Sequence, residues 1–207
     1  MPPAQPAPDF VYRFIPAGKA DLTLVLLHGT GGDENDLLPL GRRLMPGTNL
    51  LSIRGKVLEN GMPRYFRRIR EGVFDEQDLR FRTNELADFL GSTFHGPFIA
   101  VGYSNGANIA ASTLLLRPEV FTGAMLFRAM VPLQPDPPPA LTGKPIFLAA
   151  GKYDQVVRPE NTKQLATMFD QYGAAVTLNW EDADHGLADH EIETARQWAR
   201  AFTRETA

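Results

Sequence analysis

The sequence of 207 residues contains no cysteine, which excludes disulfide bonds, thiolate metal sites and a cysteine nucleophile. It also lacks a long apolar run: the longest aliphatic stretch, around Leu22–Leu27, is far shorter than the roughly 20 residues needed to cross a bilayer. It has no excess of basic charge, because the formal net charge is −3, so we do not expect nucleic acid as a main partner. The first ten residues lack the basic and apolar segments of a secretory signal. Without a membrane span or a secretory signal, we expect a cytoplasmic protein by default; the lack of cysteine does not bear on the compartment.

Proline is concentrated at the start of the chain, with four prolines among the first eight residues. This composition predicts a flexible, solvated lead-in over residues 1–9. The remaining residues, 10–207, have a length typical of one globular domain, and no repeat or linker divides them.

Short apolar runs alternate with amphipathic segments of helical length along the rest of the chain. Strands are expected at Phe10–Ile15, Leu22–Leu27, Asn49–Ile53, Pro97–Tyr103, Phe121–Phe127, Ile146–Ala150 and Val176–Trp180. Helices are expected at Glu34–Leu44, Gln77–Leu90, Asn108–Leu116, Asn161–Tyr172 and Ile192–Phe202. The alternation predicts an α/β fold with a doubly wound, mostly parallel sheet covered by helices on both faces. Such sheets carry their reactive groups at the carboxyl ends of the strands.

A G-x-S-x-G sequence follows one of these strands, with Ser104 at its centre between Gly102 and Gly106. A serine in this setting sits on a sharp strand-to-helix turn, where small neighbours are needed because larger side chains would collide. The preceding strand and the following alanine-rich helix favour a nucleophile elbow over an ordinary glycine-rich turn. Ser104 is therefore the candidate nucleophile.

A serine hydroxyl needs a base near neutral pH, normally a histidine. His185 follows the last strand through a short polar loop, where the base of such a site is expected. The other histidines fit less well: His28 precedes the serine, His95 ends a predicted helix, and His190 begins the last helix. We assign His185 as the candidate base.

The acid that orients this histidine should lie between the serine and the histidine in the chain. Asp154 meets this requirement, because it follows the strand Ile146–Ala150 in a loop that opens a helix. Asp182 and Asp184 are alternatives, although Asp184 is adjacent to His185 and adjacent side chains on a short loop rarely face each other. A charge at a helix N-terminus is a purely structural alternative for Asp154.

The developing negative charge of an ester-hydrolysis intermediate needs two N–H donors. We expect one from Asn105, which follows the nucleophile, and the other from Thr30 in the glycine-rich loop after the first core strand. That loop matches neither phosphate-binding glycine pattern, so a nucleotide site is not predicted.

Other clusters have simpler interpretations. His185 and His190 are five residues apart, which on a helix places them about 140° apart, so no metal site is expected. An arginine-rich stretch, Pro63–Arg70, is flanked by acidic residues; a salt-bridged structural loop is favoured over an entrance for a polar substrate, and both readings stay open. The candidate substrate-binding residues are Tyr103, Arg64, Phe66 and Met130.

The motifs LLHGTGGDENDLLPL, GYSNGAN, GKYDQVV and DHGL together resemble the phospholipase/carboxylesterase family of α/β-hydrolases. The segment RGKVLENGMPRYFRRIREGVFDEQDL is similar to the bacterial carboxylesterase subgroup associated with hydroquinone and quinone stress. The resemblance covers about Phe10 to Phe202. It implies the same site residues as the reasoning above: Ser104 as nucleophile, Asp154 as acid, His185 as base, and Thr30 and Asn105 as oxyanion donors. It also implies no cofactor and no large cap domain, and homodimers are frequent in the family.

Thioesterase members of this family commonly have Gly-Phe-Ser-Gln-Gly, whereas this chain has Tyr103 and Asn105 beside the serine. This departure weighs against long-chain acyl-protein and lysophospholipid substrates. The sequence therefore predicts a serine carboxylesterase acting on a small-molecule ester. An acyl-protein thioesterase or lysophospholipase, and a non-catalytic ligand-binding protein on a hydrolase scaffold, are the alternatives.

Overall fold

The computed structural model describes residues 9–18 and 20–204. The expected N-terminal lead-in at residues 1–9 therefore lies almost wholly outside the described residues. The strands are β1 (Tyr12–Ile15), β2 (Thr23–Leu27), β3 (Asn49–Ile53), β4 (Val57–Glu59), β5 (Met62–Arg64), β6 (Arg68–Arg70), β7 (Val73–Phe74), β8 (Phe98–Tyr103), β9 (Gly123–Phe127), β10 (Pro145–Gly151) and β11 (Ala175–Glu181). The helices are α1 (Leu38–Leu44), α2 (Glu76–Thr93), α3 (Asn105–Leu116), α4 (Pro159–Gln171), α5 (Asp189–Ala199) and α6 (Ala201–Arg204).

Seven strands form the central sheet in the order β1–β3–β2–β8–β9–β10–β11. All neighbouring pairs are parallel except β1 with β3, which is antiparallel and lies at one edge. The inner strands β2 and β9 are buried at every position because helices cover both faces, and this explains their continuous apolar sequences. The predicted doubly wound, mostly parallel α/β architecture is confirmed.

The core is divided by the sheet into two apolar layers. One layer packs α2, α3 and α4 against residues such as Leu27 and Leu126. The other packs α1 and α5 against residues such as Leu26 and Phe127. Adjacent strand residues point to opposite faces, so the two layers are built from alternate positions of the same strands.

No strand was predicted between Asn49–Ile53 and the helix Gln77–Leu90, but this stretch contains two β-hairpins, β4–β5 and β6–β7. Their strands are two or three residues long, which is too short to give a detectable alternation of apolar and polar residues. The turn did leave a signal: Asn60 and Gly61 form a two-residue connection in which both residues have positive φ, as an Asn-Gly hairpin turn requires.

Helix boundaries differ from the sequence prediction at two places that matter for the site. Helix α3 begins at Asn105 rather than at residue 108, because it follows the turn at Ser104 directly. Helix α1 begins at Leu38 rather than at residue 34, because the residues before it form separate turns.

Candidate active site

Ser104 lies at the sharp turn between β8 and α3, with φ 51° and ψ −113°. The glycines two residues away on each side make this turn possible. A β-carbon at Gly102 would lie 2.6 Å from the carbonyl oxygen of Gly106, and one at Gly106 would lie 1.9 Å from the carbonyl oxygen of Leu27. Both contacts are with backbone that cannot swing aside, so Gly102 is required by the close start of α3 and Gly106 by the packing of the turn against β2.

The side chains of Ser104, His185 and Asp154 form one hydrogen-bonded chain. His185 Nε2 is 2.9 Å from Ser104 Oγ, and His185 Nδ1 is 2.8 Å from Asp154 Oδ2. The three residues come from loops at the carboxyl ends of β8, β11 and β10, which are brought to one edge of the sheet. Because a carboxylate only accepts, Nδ1 carries the proton of a neutral imidazole, and Nε2 is left to accept from the serine hydroxyl.

The Asp154 carboxylate is almost fully buried, with a side-chain exposure of 1%. Its second oxygen, Oδ1, accepts hydrogen bonds from the backbone N–H groups of Val156 at 2.8 Å and Val157 at 2.9 Å. These bonds compensate the burial of the charge and fix the carboxylate in the orientation that meets His185.

The two alternative acids are engaged elsewhere. Asp182 forms an exposed ion pair with Lys152 at 2.9 Å. Asp184 accepts from the N–H of Gly186 at 2.8 Å, which shapes the loop around His185.

His28 is buried next to the glycine-rich loop, and its imidazole ring makes two hydrogen bonds to backbone. Its Nε2 accepts from the N–H of Gly55 at 2.9 Å, and its Nδ1 donates to the carbonyl of Gly29 at 2.6 Å. Burial lowers the pKa of His28, because the charged imidazolium would lose its hydration. His28 therefore ties the loop after β2 to the segment after β3.

The remaining histidines lie at the surface. His190 Nδ1 is 3.0 Å from Glu181 Oε2, and this hydrogen bond raises the pKa of His190. His95 is exposed in the loop after α2. Within the residues that the structure describes, no group of three or more metal-ligating side chains is close enough to hold a metal ion.

The two candidate oxyanion donors lie at the ends of elements that flank Ser104. Asn105 is the first residue of α3, so its N–H has no acceptor within the helix, and the positive end of the helix dipole points toward the turn. Thr30 lies in the loop after β2, half-buried. Donors from these two places could converge on a carbonyl oxygen of a substrate attacked by Ser104.

Both candidate donors are tied to hairpin β4–β5. Tyr65 donates its N–H to Asn105 Oδ1 at 2.8 Å, and Arg64 Nη1 donates to Thr30 Oγ1 at 2.6 Å. Next to Thr30, the N–H of Gly31 donates to the carbonyl of Pro63 at 2.9 Å. These contacts could not be predicted, because nothing in the sequence indicates which segment a hairpin of three-residue strands will contact.

The structure places the four candidate substrate-binding residues differently. Tyr103 is half-buried beside the base, with its ring centre 5.6 Å from that of His185. Met130 is half-buried after β9. Phe66 is fully buried, and Arg64 is only 3% exposed, so these two residues lie behind the site rather than on its surface.

The arginine-rich stretch is held by ion pairs. Arg68 pairs with Glu59 at 3.0 Å and also with Glu71, while Arg67 pairs with Asp75 at 3.0 Å. The hydrogen bond from Arg68 lowers the pKa of Glu59. These contacts support the structural interpretation of the stretch.

The N–H of Ser104 itself donates to the carbonyl of Phe127 at 2.9 Å, so the turn is also anchored to β9. Arg128, which follows Phe127 in the chain, is fully buried and has a φ of 59°. Arg128 is not among the predicted site residues, because an arginine after an apolar strand carries no local signal of its contacts.

Comparison with known proteins identifies the family. The chain is 49% identical over 187 residues to MhqD of Bacillus subtilis (strain 168), which is named as a hydrolase. The match covers 87% of this chain and 94% of MhqD. The chain belongs to the phospholipase/carboxylesterase family of α/β-hydrolases. This confirms the resemblance that the sequence motifs indicated, although no protein-family model matches the chain.

Solved structures of this family have the same fold. The crystal structure of the Bacillus cereus carboxylesterase matches with a TM-score of 0.89 and 42% identity, covering 93% of this chain and 94% of that one. YahD, solved with malic acid, matches with a TM-score of 0.85 and 30% identity, covering 93% of this chain and 99% of YahD. As in these α/β-hydrolases, there is no large cap domain in the described part of the chain. None of the helices at residues 9–18 and 20–204 is both long and apolar enough to span a membrane.

Proposed function

We propose that this protein is a serine carboxylesterase that hydrolyses small carboxylic esters through an acyl-enzyme intermediate, with residues 10–207 as its one catalytic domain. The observation that carries the proposal is the hydrogen-bonded chain from Ser104 through His185 to Asp154, with distances of 2.9 Å and 2.8 Å. Membership of a hydrolase family supports the reaction class. Such a chain makes an otherwise weak hydroxyl nucleophile reactive near neutral pH.

In the proposed first half-reaction, Ser104 Oγ attacks the ester carbonyl carbon while His185 Nε2 accepts the hydroxyl proton. The carbonyl oxygen becomes an oxyanion held by the N–H groups of Thr30 and Asn105. The tetrahedral intermediate then expels the alcohol, which takes the proton from His185, and leaves the acyl group on Ser104. Asp154 stays ionised and stabilises the imidazolium.

In the second half-reaction, water gives a proton to His185 and attacks the acyl-serine. The new intermediate breaks down to the carboxylic acid and free Ser104, which recovers the proton from His185. The cycle needs no cofactor because every proton and electron pair is supplied by substrate, water or these side chains.

The small-ester preference rests on the surroundings of the site. Tyr103 and Met130 are the half-exposed neighbours that could contact a substrate, and the hairpins beside the site are bound down by ion pairs. YahD, which shares the fold, was solved with malic acid, a small carboxylic acid. These surroundings suit a small ester that reaches the site from solution. The proposed enzyme could act as a monomer or as a homodimer.

One observation favours the second candidate, an acyl-protein thioesterase or lysophospholipase. The two hairpins carry exposed apolar side chains: Leu58 is 69% exposed, Ile69 74% and Met62 40%. Met62 also packs beside Gly31 in the loop of the candidate oxyanion donor. An acyl chain could bind along these residues.

A series of p-nitrophenyl esters from acetate to palmitate tests the proposal. We expect kcat/KM to be highest for the short esters, and Ser104→Ala to lower kcat by about 10⁴–10⁶-fold. A maximum at long chains would select the second candidate. Wild-type rates in purified Ser104→Ala would refute the mechanism. A wild-type protein that hydrolyses none of the esters and forms no covalent adduct with a fluorophosphonate, a reagent that reacts with activated serines, would point to a non-catalytic ligand-binding role.

A further inference from the structure

Arg128 is the largest side chain that is fully buried in the described part of the chain. Burying a guanidinium is costly unless every donor finds an acceptor and the charge is paired. The residue also adopts a left-handed backbone conformation, with φ 59°, which is unfavourable for a side chain with a β-carbon. A buried charge and a left-handed backbone at the same residue indicate a function, and the proposed reaction does not yet include Arg128.

All five N–H donors of Arg128 are used. The guanidinium makes a two-point contact with Glu191, from Nη1 to Oε2 and from Nη2 to Oε1, each at 2.7 Å. Glu191, on α5, is itself fully buried and accepts the N–H of Ala188 at 2.6 Å. The remaining donors reach the backbone carbonyls of Ala149 at 3.3 Å, Asp184 at 3.0 Å and Gly186 at 2.5 Å.

Two of these carbonyls belong to the residues on either side of His185. The carbonyl of His185 itself accepts a hydrogen bond from the hydroxyl of Tyr103 at 2.9 Å. Three consecutive carbonyls, at residues 184, 185 and 186, are therefore held by side chains from the ends of β8 and β9. The carbonyl of Asp184 also rests against Gly151, where a β-carbon would lie 2.3 Å from its oxygen.

The same guanidinium lies beside the other partner of the base. Arg128 Nε is 4.0 Å from Asp154 Oδ2, the oxygen that meets His185. Arg128 thus contacts the loop of the base from below and lies close to the carboxylate that orients it. Glu191 neutralises the buried positive charge, so that the negative charge of Asp154 remains directed at the imidazole.

We propose that Arg128, neutralised by Glu191, is a positioning residue that fixes the His185 loop so that Nε2 meets the hydroxyl of Ser104. Tyr103 completes the arrangement at the central carbonyl. The expected loss of kcat rests on the proposed function, whereas the position of the His185 loop does not depend on it. A displacement of about 1 Å in a reacting group can lower a rate by roughly 10²-fold, so a loop held at three carbonyls has a measurable consequence.

A purely structural role must be separated from a positioning role, because removing one partner of a buried ion pair can unfold a protein. The double variant Arg128→Met/Glu191→Met removes both charges and fills the space with apolar atoms, a replacement that buried ion pairs often tolerate. It cannot donate to the carbonyls of Asp184 and Gly186. Arg128→Lys is the second variant: it retains a charge opposite Glu191 but has too few donors for all five contacts.

The experiment measures kcat and KM on p-nitrophenyl acetate for folded, purified variants, together with the low-field proton NMR signal of the imidazole N–H shared by His185 and Asp154. We expect kcat to fall roughly 10²-fold with KM changed less than about threefold, and the NMR signal to broaden or disappear. Phe169→Leu, a change of a buried residue near the C-terminus of α4, is the control for lost stability. It should leave kcat and the NMR signal unchanged.

The proposal is overturned if either folded variant keeps kcat within about threefold of wild type and an unchanged NMR signal. The wild-type protein separates this result from a failure of the proposed function. If wild type does not hydrolyse esters, the proposed function is wrong, whereas the NMR comparison between wild type and variants still decides whether Arg128 fixes the loop.

Discussion

Arg64 Nη1 donates a 2.6 Å hydrogen bond to Thr30 Oγ1, so a buried cation on one hairpin holds the side chain of a candidate oxyanion donor. The guanidinium is desolvated, and this burial lowers the pKa of Arg64. Its ion pair with Glu59, at 3.5 Å, is looser than the bond to Thr30. The role of Arg64 is therefore better described as bracing the loop after β2 than as binding a substrate from solvent.

The bracing leads to a prediction about Arg64→Lys. We expect kcat for short esters to fall by about tenfold with little change in KM, because the loop loses one hydrogen bond and the Thr30 N–H is less well placed. Steady-state kinetics, normalised to the fraction of reactive serine, would measure the effect. Arg68→Lys, in the neighbouring hairpin, is the matched control and should stay near wild type; equal losses in both variants would contradict a specific link to Thr30.

Gly106→Ala tests the packing of the elbow. A β-carbon there would lie 1.9 Å from the Leu27 carbonyl oxygen, so the variant must displace either α3 or β2. We expect the free energy of unfolding in urea to fall by about 3 kcal/mol or more.

Gly91→Ala is the control for Gly106→Ala, because Gly91 lies inside α2 and a β-carbon there meets nothing within 4 Å. Alanine should raise the stability of this helix by up to about 1 kcal/mol. A Gly106→Ala protein as stable as Gly91→Ala would show that the turn is not packed as described.

His28 predicts a pH dependence of stability. Burial lowers its pKa in the folded state below the unfolded value of about 6.5, so the unfolded chain binds the proton more tightly. The stabilising contribution of the neutral imidazole is therefore present above about pH 6.5 and is lost as the pH falls toward the lowered pKa. The slope for one proton is at most about 1.4 kcal/mol per pH unit.

Urea unfolding at pH 7.5 and 5.5 measures this contribution. In His28→Gln the amide oxygen can still accept from Gly55, but the group no longer titrates, so the loss of stability on acidification should be smaller than in wild type. His190→Gln is the control of opposite sign, since Glu181 raises the pKa of that exposed histidine. A wild-type slope in His28→Gln would show that His28 does not control the acid loss.

The sequence was sufficient to predict the sheet and the edge at which the candidate site lies. The continuous apolar strands and the G-x-S-x-G turn carry local signals, and the parallel topology brings Ser104, Asp154 and His185 to one edge. The residues that hold the loops of the candidate site in place could not be predicted in the same way. Arg64, Arg128 and Glu191 act through contacts between segments 34 to 63 residues apart, and their pairing depends on how loops pack rather than on any local pattern.

The hairpins illustrate the limit at shorter range. Asn60-Gly61 is a recognisable turn signal, but the strands beside it are three residues long and their apolar side chains, such as Leu58, face outward. The alternation of apolar and polar residues, which reports burial on one face, therefore does not predict these strands. The contact that links this segment to the candidate site, the hydrogen bond from the Tyr65 N–H to Asn105 Oδ1, joins residues 40 positions apart and has no local sequence signal.

The central claim, that Ser104 is an activated nucleophile, is tested most directly by incubating the protein with a fluorophosphonate probe and mapping the adduct by peptide mass spectrometry. We predict one adduct per chain, located on Ser104, with labelling lost in both Ser104→Ala and His185→Gln. An unlabelled wild-type protein, or an adduct at another residue that persists in Ser104→Ala, would contradict the account.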